Sequence, residues 1–284
     1  MRDIALERGA VGRGRTATVH SCGAGRVVKL FGDGWSRQLA EAEARAGALA
    51  FRSGAGAPRV DALVQVDGRL GIVYERIDGQ SMLATLTREP WMLPRLARRF
   101  ASLHASLHRR AAPGLTRYRA ALEHQIRGAP GLEAPLRERA LAALAAAPEG
   151  DRLCHGDFHP DNVVLTARGA VVIDWLNAGA GHPLADVARS HYLLTLAALP
   201  PGTPLGQRLL LETLRRAFSA LYLRHYAAFA GYSRGQLHRG LAQWGVVIAA
   251  ARLSEGVTQE AARLRRLVRG APATPAAVGG ASSG

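Results

Sequence analysis

The chain has 284 residues, 48% of them hydrophobic, and a formal net charge of +15. That length can bury a sizeable core in one large domain or two lobes; no apolar run reaches the roughly 20 residues that a bilayer requires, the first ten residues lack the apolar core of a secretion signal, and two cysteines, Cys22 and Cys154, make no disulfide framework, so a reducing cytoplasm is the expected compartment. Arginine supplies all but one of the 37 basic residues, and no basic run carries interleaved aromatics, so the charge reads as compositional bias and neither nucleic acid nor a membrane is expected as a partner.

Residues 6–11, 16–21 and 26–31 read as strands, with Gly9, Gly12 and Gly14 crowding the first connection and residues 22–25 forming the second. Residues 36–51, rich in Ala and Glu, predict a helix with Ser36 as its N-cap. Residues 59–66 and 69–74 predict a hairpin, because Asp67-Gly68 is a type I′ turn signal. After Glu75 the character changes. Residues 76–80 form a connector, and the chain beyond it is mostly helical. Residues 94–110 carry Leu96, Phe100, Leu103 and Leu107 as a buried stripe; further helices are expected at 117–127, 135–147, 183–198, 205–230, 233–253 and 255–269. Among them lie two short apolar runs, 163–165 and 171–173, bounded by turn residues and acids, which predict a second hairpin. The Ala/Pro/Gly/Ser-rich end, 271–284, predicts a disordered tail. The expected class is α+β, with residues 1–75 as a small β-rich lobe and residues 76–270 as a larger, mainly helical one.

Lys29 is the only lysine, set in the strand V-V-K-L-F between apolar neighbours. A compact charge on a long stem suits phosphate oxygens, and a half-buried lysine needs a carboxylate partner. The next helix offers Glu41 and Glu43. Its apolar face is expected to be Leu39, Ala42, Ala46, Leu49 and Ala50. Glu43 falls inside that stripe and Glu41 opposite, so Glu43 is the expected partner of Lys29. Gly12-Arg13-Gly14-Arg15-Thr16-Ala17-Thr18-Val19 fits a glycine loop whose backbone amides approach phosphates closely. A Walker loop from Gly9, with Arg15 for lysine, nearly fits too, but it needs a following helix, and T-A-T-V-H-S reads as a strand.

The second hairpin carries Asp157, Asn162 and Asp174 toward one end of itself. Oxygen ligands gathered this way suit a hard cation such as Mg²⁺, and a further carboxylate beside them could act as a base. Local charge agrees: from 151 to 186, Asp151, Asp157, Asp161, Asp174 and Asp186 stand against Arg152 and Arg168 alone. His155, Asp157, His159 and Asp161 alternate, which invites a zinc reading, but Pro160 and the tight loop work against convergence of both histidines on one metal. His104 and His108, four apart on a helix, read as ordinary helix histidines.

With these residues in hand, the chain resembles the aminoglycoside phosphotransferase family of kinase-like small-molecule phosphotransferases. His155-Gly156-Asp157, followed after four residues by Asn162, matches its H-G-D-x-x-x-x-N catalytic loop. Val172-Ile173-Asp174-Trp175 matches its I-D-[WF] metal motif, and Gly181 to Asp186 looks like the segment that comes next in the family. Ala17 replaces the last glycine of the loop. The resemblance implies a two-lobed protein-kinase-like fold with ATP, or GTP as the alternative donor, between the lobes. It implies adenine held by backbone groups near Glu75 and Ile77, phosphates covered by the Gly12 and Gly14 loop and gripped by Lys29 oriented by Glu43, and Mg²⁺ held by Asn162 and Asp174. Asp157 would be the base for a small-molecule acceptor alcohol. His155 and Asp186 would be structural, Asp186 by holding the catalytic-loop backbone. Beyond residue 186 only Glu212, Glu255 and Glu260 are acidic, which favours a neutral or mildly charged acceptor over a polycation. A nucleotide-binding pseudokinase without turnover is the competing class; every group that an enzyme would need is present. No motif specifies an oligomeric state.

Overall fold

The structure, a computed structural model, describes residues 6, 9–14, 16–196 and 203–270. Glu7 and Arg8 of the first expected strand, Arg15 of the glycine loop, the end of the helix expected at 183–198 and the expected tail lie outside the described residues. Strands β1 (Ala10–Arg13), β2 (Ala17–Ser21), β3 (Arg26–Phe31), β4 (Val60–Val66) and β5 (Arg69–Glu75) form one antiparallel sheet in the order β1-β2-β3-β5-β4. Asp67 and Gly68 both take left-handed φ values, 50° and 78°, as a type I′ turn demands. Alternation along β3 sends Val28 and Leu30 into a cluster with Val64 and Val73. Val27 and Phe31 go to the other face, with Ala40, Ile72 and Tyr74. Lys29 shares this second face, which α1 (Arg37–Arg52) covers.

Two details of α1 differ from expectation. Ser36 stands at the N-cap, yet its side chain makes no capping bond. Leu39 is exposed, and the buried stripe is Ala40, Glu43, Ala46, Gly47 and Ala50. The small side chains let the helix sit close on the sheet, where a leucine would hold it off. Glu43 is inside the stripe, as its spacing predicts.

The larger lobe begins with β6 (Gln80–Ser81), α2 (Met82–Arg88), α3 (Leu93–His108), α4 (Tyr118–Arg127) and α5 (Ala134–Ala146). Then come β7 (Arg152–Cys154), β8 (Val163–Thr166), β9 (Gly169–Val172) and β10 (Gly179–Gly181), and α6 (Pro183–Leu196), α7 (Leu205–Ala230), α8 (Arg234–Arg252) and α9 (Thr258–Gly270). The elements α2, β6, β7 and β10 were not individually expected, since none is long enough to show a period. Ser81 nevertheless caps α2, its hydroxyl accepting from Ala84 N at 3.1 Å. A capping box between Ser233 and Gln236 starts α8. The helix expected from Glu255 begins instead at Thr258, because Gly256 takes a left-handed φ of 69° after a 3₁₀ turn over Leu253–Glu255. Among the described residues no helix is long and apolar enough to cross a membrane.

Helices α3 and α7 pack in parallel with one constant register. Phe100 meets Phe218, His104 meets Tyr222 and His108 meets Tyr226, rungs one helical turn apart. Phe100, Phe218, Tyr222 and Tyr226 belong to the main core, with Phe158, Trp175 and Trp244. His104 is fully buried, and burial, with His108 beside it, lowers its pKa to about 3 against the pull of Asp186. An unfolded chain's histidine titrates near ~6.5, so unfolding takes up a proton below that pH. The folded pKa is the depressed one; the contribution is therefore complete above about pH 6.5 and drains away as pH falls toward 3. Thermal melts across this window should show Tm falling on the acid side, with a shallower fall in His104→Gln.

Candidate active site

Between β7 and β8 the chain makes the tight polar loop 155–162. Gly156 is required at its start: its φ is 75°, and a Cβ would stand 2.2 Å from the Asn177 carbonyl oxygen. Gly156→Ala should therefore cost more than about 1 kcal/mol in chemical denaturation and displace the next residue, Asp157. His155 is buried, and its Nδ1 accepts from Asp157 N at 3.2 Å. The ring proton is then on Nε2, which donates to Ile173 O at 3.0 Å, and burial lowers the pKa of this neutral imidazole. His155 thus pins the loop to the end of β9. His159 turns elsewhere, its Nε2 lying 3.2 Å from Asn162 Nδ2 and 3.5 Å from Asp157 Oδ2, so the two histidines do not share a metal.

Asp186, on α6, holds the loop from below. Its Oδ1 accepts from Gly156 N at 2.9 Å and its Oδ2 from His155 N at 2.6 Å. Oδ2 also faces His104 Nε2 at 3.1 Å and His108 Nε2 at 3.3 Å. Burial alone would raise the Asp186 pKa, but His104 and His108 hold it well below the usual carboxylate range. An ionised carboxylate only accepts, so both Nε2 atoms donate. Each Nδ1 then accepts from a tyrosine hydroxyl at 2.7 Å, Tyr222 for His104 and Tyr226 for His108. This corrects the reading of His104 and His108 as ordinary helix histidines. They carry the aspartate that carries the loop.

Asp157 is half-buried at the tip of this support. Arg189 Nη2 lies 3.4 Å from its Oδ1. Burial would raise its pKa, yet the hydrogen bond from His159 and the charge of Arg189 outweigh burial and keep it below the ordinary carboxylate value. The Asp157 carbonyl can only accept, so Asn162 turns its Nδ2 to it at 3.0 Å, which leaves Asn162 Oδ1 for a cation. Asn162 O accepts from Ile173 N at 3.0 Å, bringing Asn162 alongside Asp174. Asp174 takes a φ of 64°, a strained conformation for a residue with a side chain, and its Oδ1 meets Lys29 Nζ at 2.8 Å.

Lys29 Nζ also bonds Glu43 Oε1 at 2.8 Å, and Tyr74 OH donates to the same oxygen at 3.0 Å. Burial would lower the lysine's pKa, but Glu43 and Asp174 outweigh it and raise it. Lys29 therefore remains a cation, joining the sheet, α1 and the hairpin. Gly12 pairs with Val19, and Gly14 N donates to Ala17 O at 2.9 Å as β1 turns into β2. Neither has a left-handed φ, and a Cβ on either would come no nearer than 3.6 Å to another atom, so folding itself does not demand glycine at these two places. Glu75 ends β5, its N–H bonded to Arg59 O at 2.9 Å. Ile77 lies on the connector, which seats on β8 at Gly79, where a Cβ would lie 2.3 Å from Leu165 O. Tyr74, His159 and Arg189 were not foreseen. A signal existed for Tyr74 alone: it lies two residues from Ile72, the cross-strand partner of Lys29, hence on the same face.

A profile of the phosphotransferase enzyme family matches residues 13–238. No curated protein matches the chain. Among solved structures, an aminoglycoside-3'-phosphotransferase of type VIII is 21% identical over 87% of this chain and 92% of its own, with a TM-score of 0.61. A thermostable mutant of aminoglycoside phosphotransferase APH(4)-Ia, in a ternary complex with AMP-PNP and hygromycin B, is 17% identical over 94% of each chain, with a TM-score of 0.62. A choline/ethanolamine kinase family protein from Mesorhizobium loti is 20% identical over 95% of this chain and 89% of its own, with a TM-score of 0.56. At such identities the likeness is one of fold: a small antiparallel-sheet lobe joined to a larger helical one, as in protein kinases. With the family profile running from the glycine loop through the loop 155–162 and into α8, the chain belongs to the phosphotransferase enzyme family.

Proposed function

We propose that the protein moves the γ-phosphoryl group of ATP, with GTP as the alternative donor, onto a hydroxyl of a small molecule. The observation that carries this reading is the bridging of Lys29 between Glu43 and Asp174, with Asp174 linked through Ile173 and Asn162 to Asp157. A phosphate-gripping cation, metal-type oxygens and a carboxylate base share one hydrogen-bonded neighbourhood. The donor set fits Mg²⁺: Asn162 Oδ1 and the Asp174 carboxylate are hard oxygen ligands, and the Asn162 nitrogen is already spent on Asp157 O. When bound there, the ion would neutralise charge building on the phosphate oxygens.

The chain's own residues do the rest by placement. Lys29, held by Glu43 and Tyr74, binds the phosphates. The backbone of the Gly12 and Gly14 loop covers them, and glycines that folding does not require suit a ligand's close approach. Backbone groups near Glu75 and Ile77 hold the base of the nucleotide. Asp157 orients the acceptor hydroxyl. A carboxylate with so low a pKa is a weak base at rest, so it takes the proton late, when the acceptor oxygen is already bonding to phosphorus. Glu255 and Glu260 are engaged by Arg189 and Arg252, which supports a neutral or mildly charged acceptor.

The test is an acceptor screen with ATP and GTP, scored by nucleotide diphosphate release above the no-acceptor background, with neutral polyols and amino alcohols first. Turnover with an acceptor supports the reading; tight nucleotide and Mg²⁺ binding without turnover on any acceptor would instead favour a binding module. Lys29→Met should raise the nucleotide Kd on the order of 10- to 100-fold in calorimetry, the loss of one charge-assisted bond of about 1.5–3 kcal/mol.

A further inference from the structure

The catalytic-loop aspartate is tied to the C-terminal end of the described chain by a buried ladder of charges. Arg189 points its guanidinium at three acceptors: Nε donates to Gly156 O, and Nη2 lies 3.4 Å from Asp157 Oδ1 and 2.7 Å from Glu255 Oε1. Glu255 sits in the 3₁₀ turn between α8 and α9, and its Oε2 meets Arg252 Nη1 at 3.2 Å. Arg252 forks onto Glu260, Nε to Oε2 at 2.7 Å and Nη2 to Oε1 at 3.1 Å. The side chains of Arg189, Arg252 and Glu260 are each no more than 6% exposed. The distal half of the ladder, Arg252, Glu255 and Glu260, lies beyond the stretch 13–238 that the family profile covers.

The distances show how the guanidinium is divided. Arg189 Nη2 stands in a close ion pair with Glu255 at 2.7 Å and donates a long hydrogen bond to Asp157 at 3.4 Å. An arginine with only one carboxylate in reach would close on it in a bidentate fork, and such a fork would occupy the oxygens that an acceptor hydroxyl needs. We infer that Glu255, braced by the Arg252–Glu260 fork, competes for Arg189 and so sets the position of Asp157, making Arg189 and Glu255 positioning residues for phosphoryl transfer. The 3₁₀ turn directly after α8 holds Glu255 in reach of Arg189, and the left-handed Gly256 that follows turns α9 back so that Glu260 reaches Arg252. The inference rests on the assignment of Asp157 as the base.

The experiment pairs Glu255→Ala with Glu255→Gln, which keeps shape and hydrogen bonding but not charge. Crystal structures of both variants and of the wild type are determined, and kcat and the nucleotide KM are measured in parallel with unfolding midpoints. In Glu255→Ala the Arg189–Asp157 separation should shorten below its present 3.4 Å, and kcat should fall on the order of 10- to 100-fold with the nucleotide KM unchanged; the glutamine variant should fall between it and the wild type. Should Glu255→Ala not fold, the glutamine variant carries the same two readouts. An Arg189–Asp157 geometry identical to the wild type overturns the inference, as does wild-type kcat. If the wild type itself turns over no acceptor, the phosphotransferase reading fails, and the crystallographic distance alone still decides the ladder's role.

Discussion

Replacing Asp157 by Ala should lower phosphoryl transfer by about 10²- to 10⁴-fold, the usual contribution of a positioned base, while the nucleotide binds as before. In activation free energy this is about 3–5 kcal/mol. The separation of effects comes from where the groups lie. The nucleotide's proposed contacts are Lys29, the glycine loop and the connector, all on or beside the sheet; Asp157 stands on the loop 155–162, where the acceptor is proposed to bind. Its replacement also leaves the loop's supports in place, since His155 N and Gly156 N still reach Asp186 and Arg189 still reaches Glu255. The measurement is diphosphate release beside nucleotide titration on the same preparation. Transfer at the wild-type rate would remove Asp157 from the base's role and leave the loop with a binding function only.

Asp186→Ala should strike both stability and activity. Four donors converge on this one carboxylate: two loop amides and the Nε2 groups of His104 and His108. Each buried donor left without an acceptor costs about 1–3 kcal/mol. The sum, even partly relieved by entering water, should reach the roughly 4–5 kcal/mol that marks exceptional substitutions. Urea denaturation gives the stability change. Asp186→Asn keeps one acceptor oxygen and should retain more of the fold, yet its amide N–H₂ faces donors, so kcat should still fall. An unchanged urea midpoint in Asp186→Ala would mean that the loop stands without its anchor.

These two aspartates differ in how far the sequence reveals them. Asp157 is legible as a candidate because its surroundings are local: the loop that carries it is short and polar, and the proposed metal ligands Asn162 and Asp174 lie on the same hairpin. Asp186 is legible only through its place in a segment similar to a known one. Its partners are not legible at all. His104 and His108 on α3 look like any pair at helical spacing, as do Tyr222 and Tyr226 on α7. What joins them is a register between helices 118 residues apart in sequence, and no local pattern states a register.

The glycine loop and the α1 helix show the same boundary at closer range. Spacing put Glu43 on the inner face of α1, because the helical period is a property of the backbone itself; Lys29 was tied to it by the need of a half-buried lysine for a carboxylate. Of the expected stripe Ala46 and Ala50 are buried, while Leu39 lies outside and Ala40 and Gly47 join it, because the fit of a helix on a sheet depends on which side chains are small enough for close approach. Gly256 moved the start of α9 and thereby the place of Glu260, since a left-handed residue redirects everything after it.

By itself, then, the sequence determined the two-lobed α+β plan, the hairpin with Asp157, Asn162 and Asp174, and the pairing of Lys29 with Glu43, for these depend on periodicity, turn chemistry and the intolerance of buried charge for solitude. The tertiary structure alone decided that Asp174 closes on Lys29, that histidines of α3 and tyrosines of α7 hold Asp186, and that Arg189 is shared between Asp157 and Glu255. Those contacts link segments tens to more than a hundred residues apart, and their partners are chosen by packing geometry after the elements have formed.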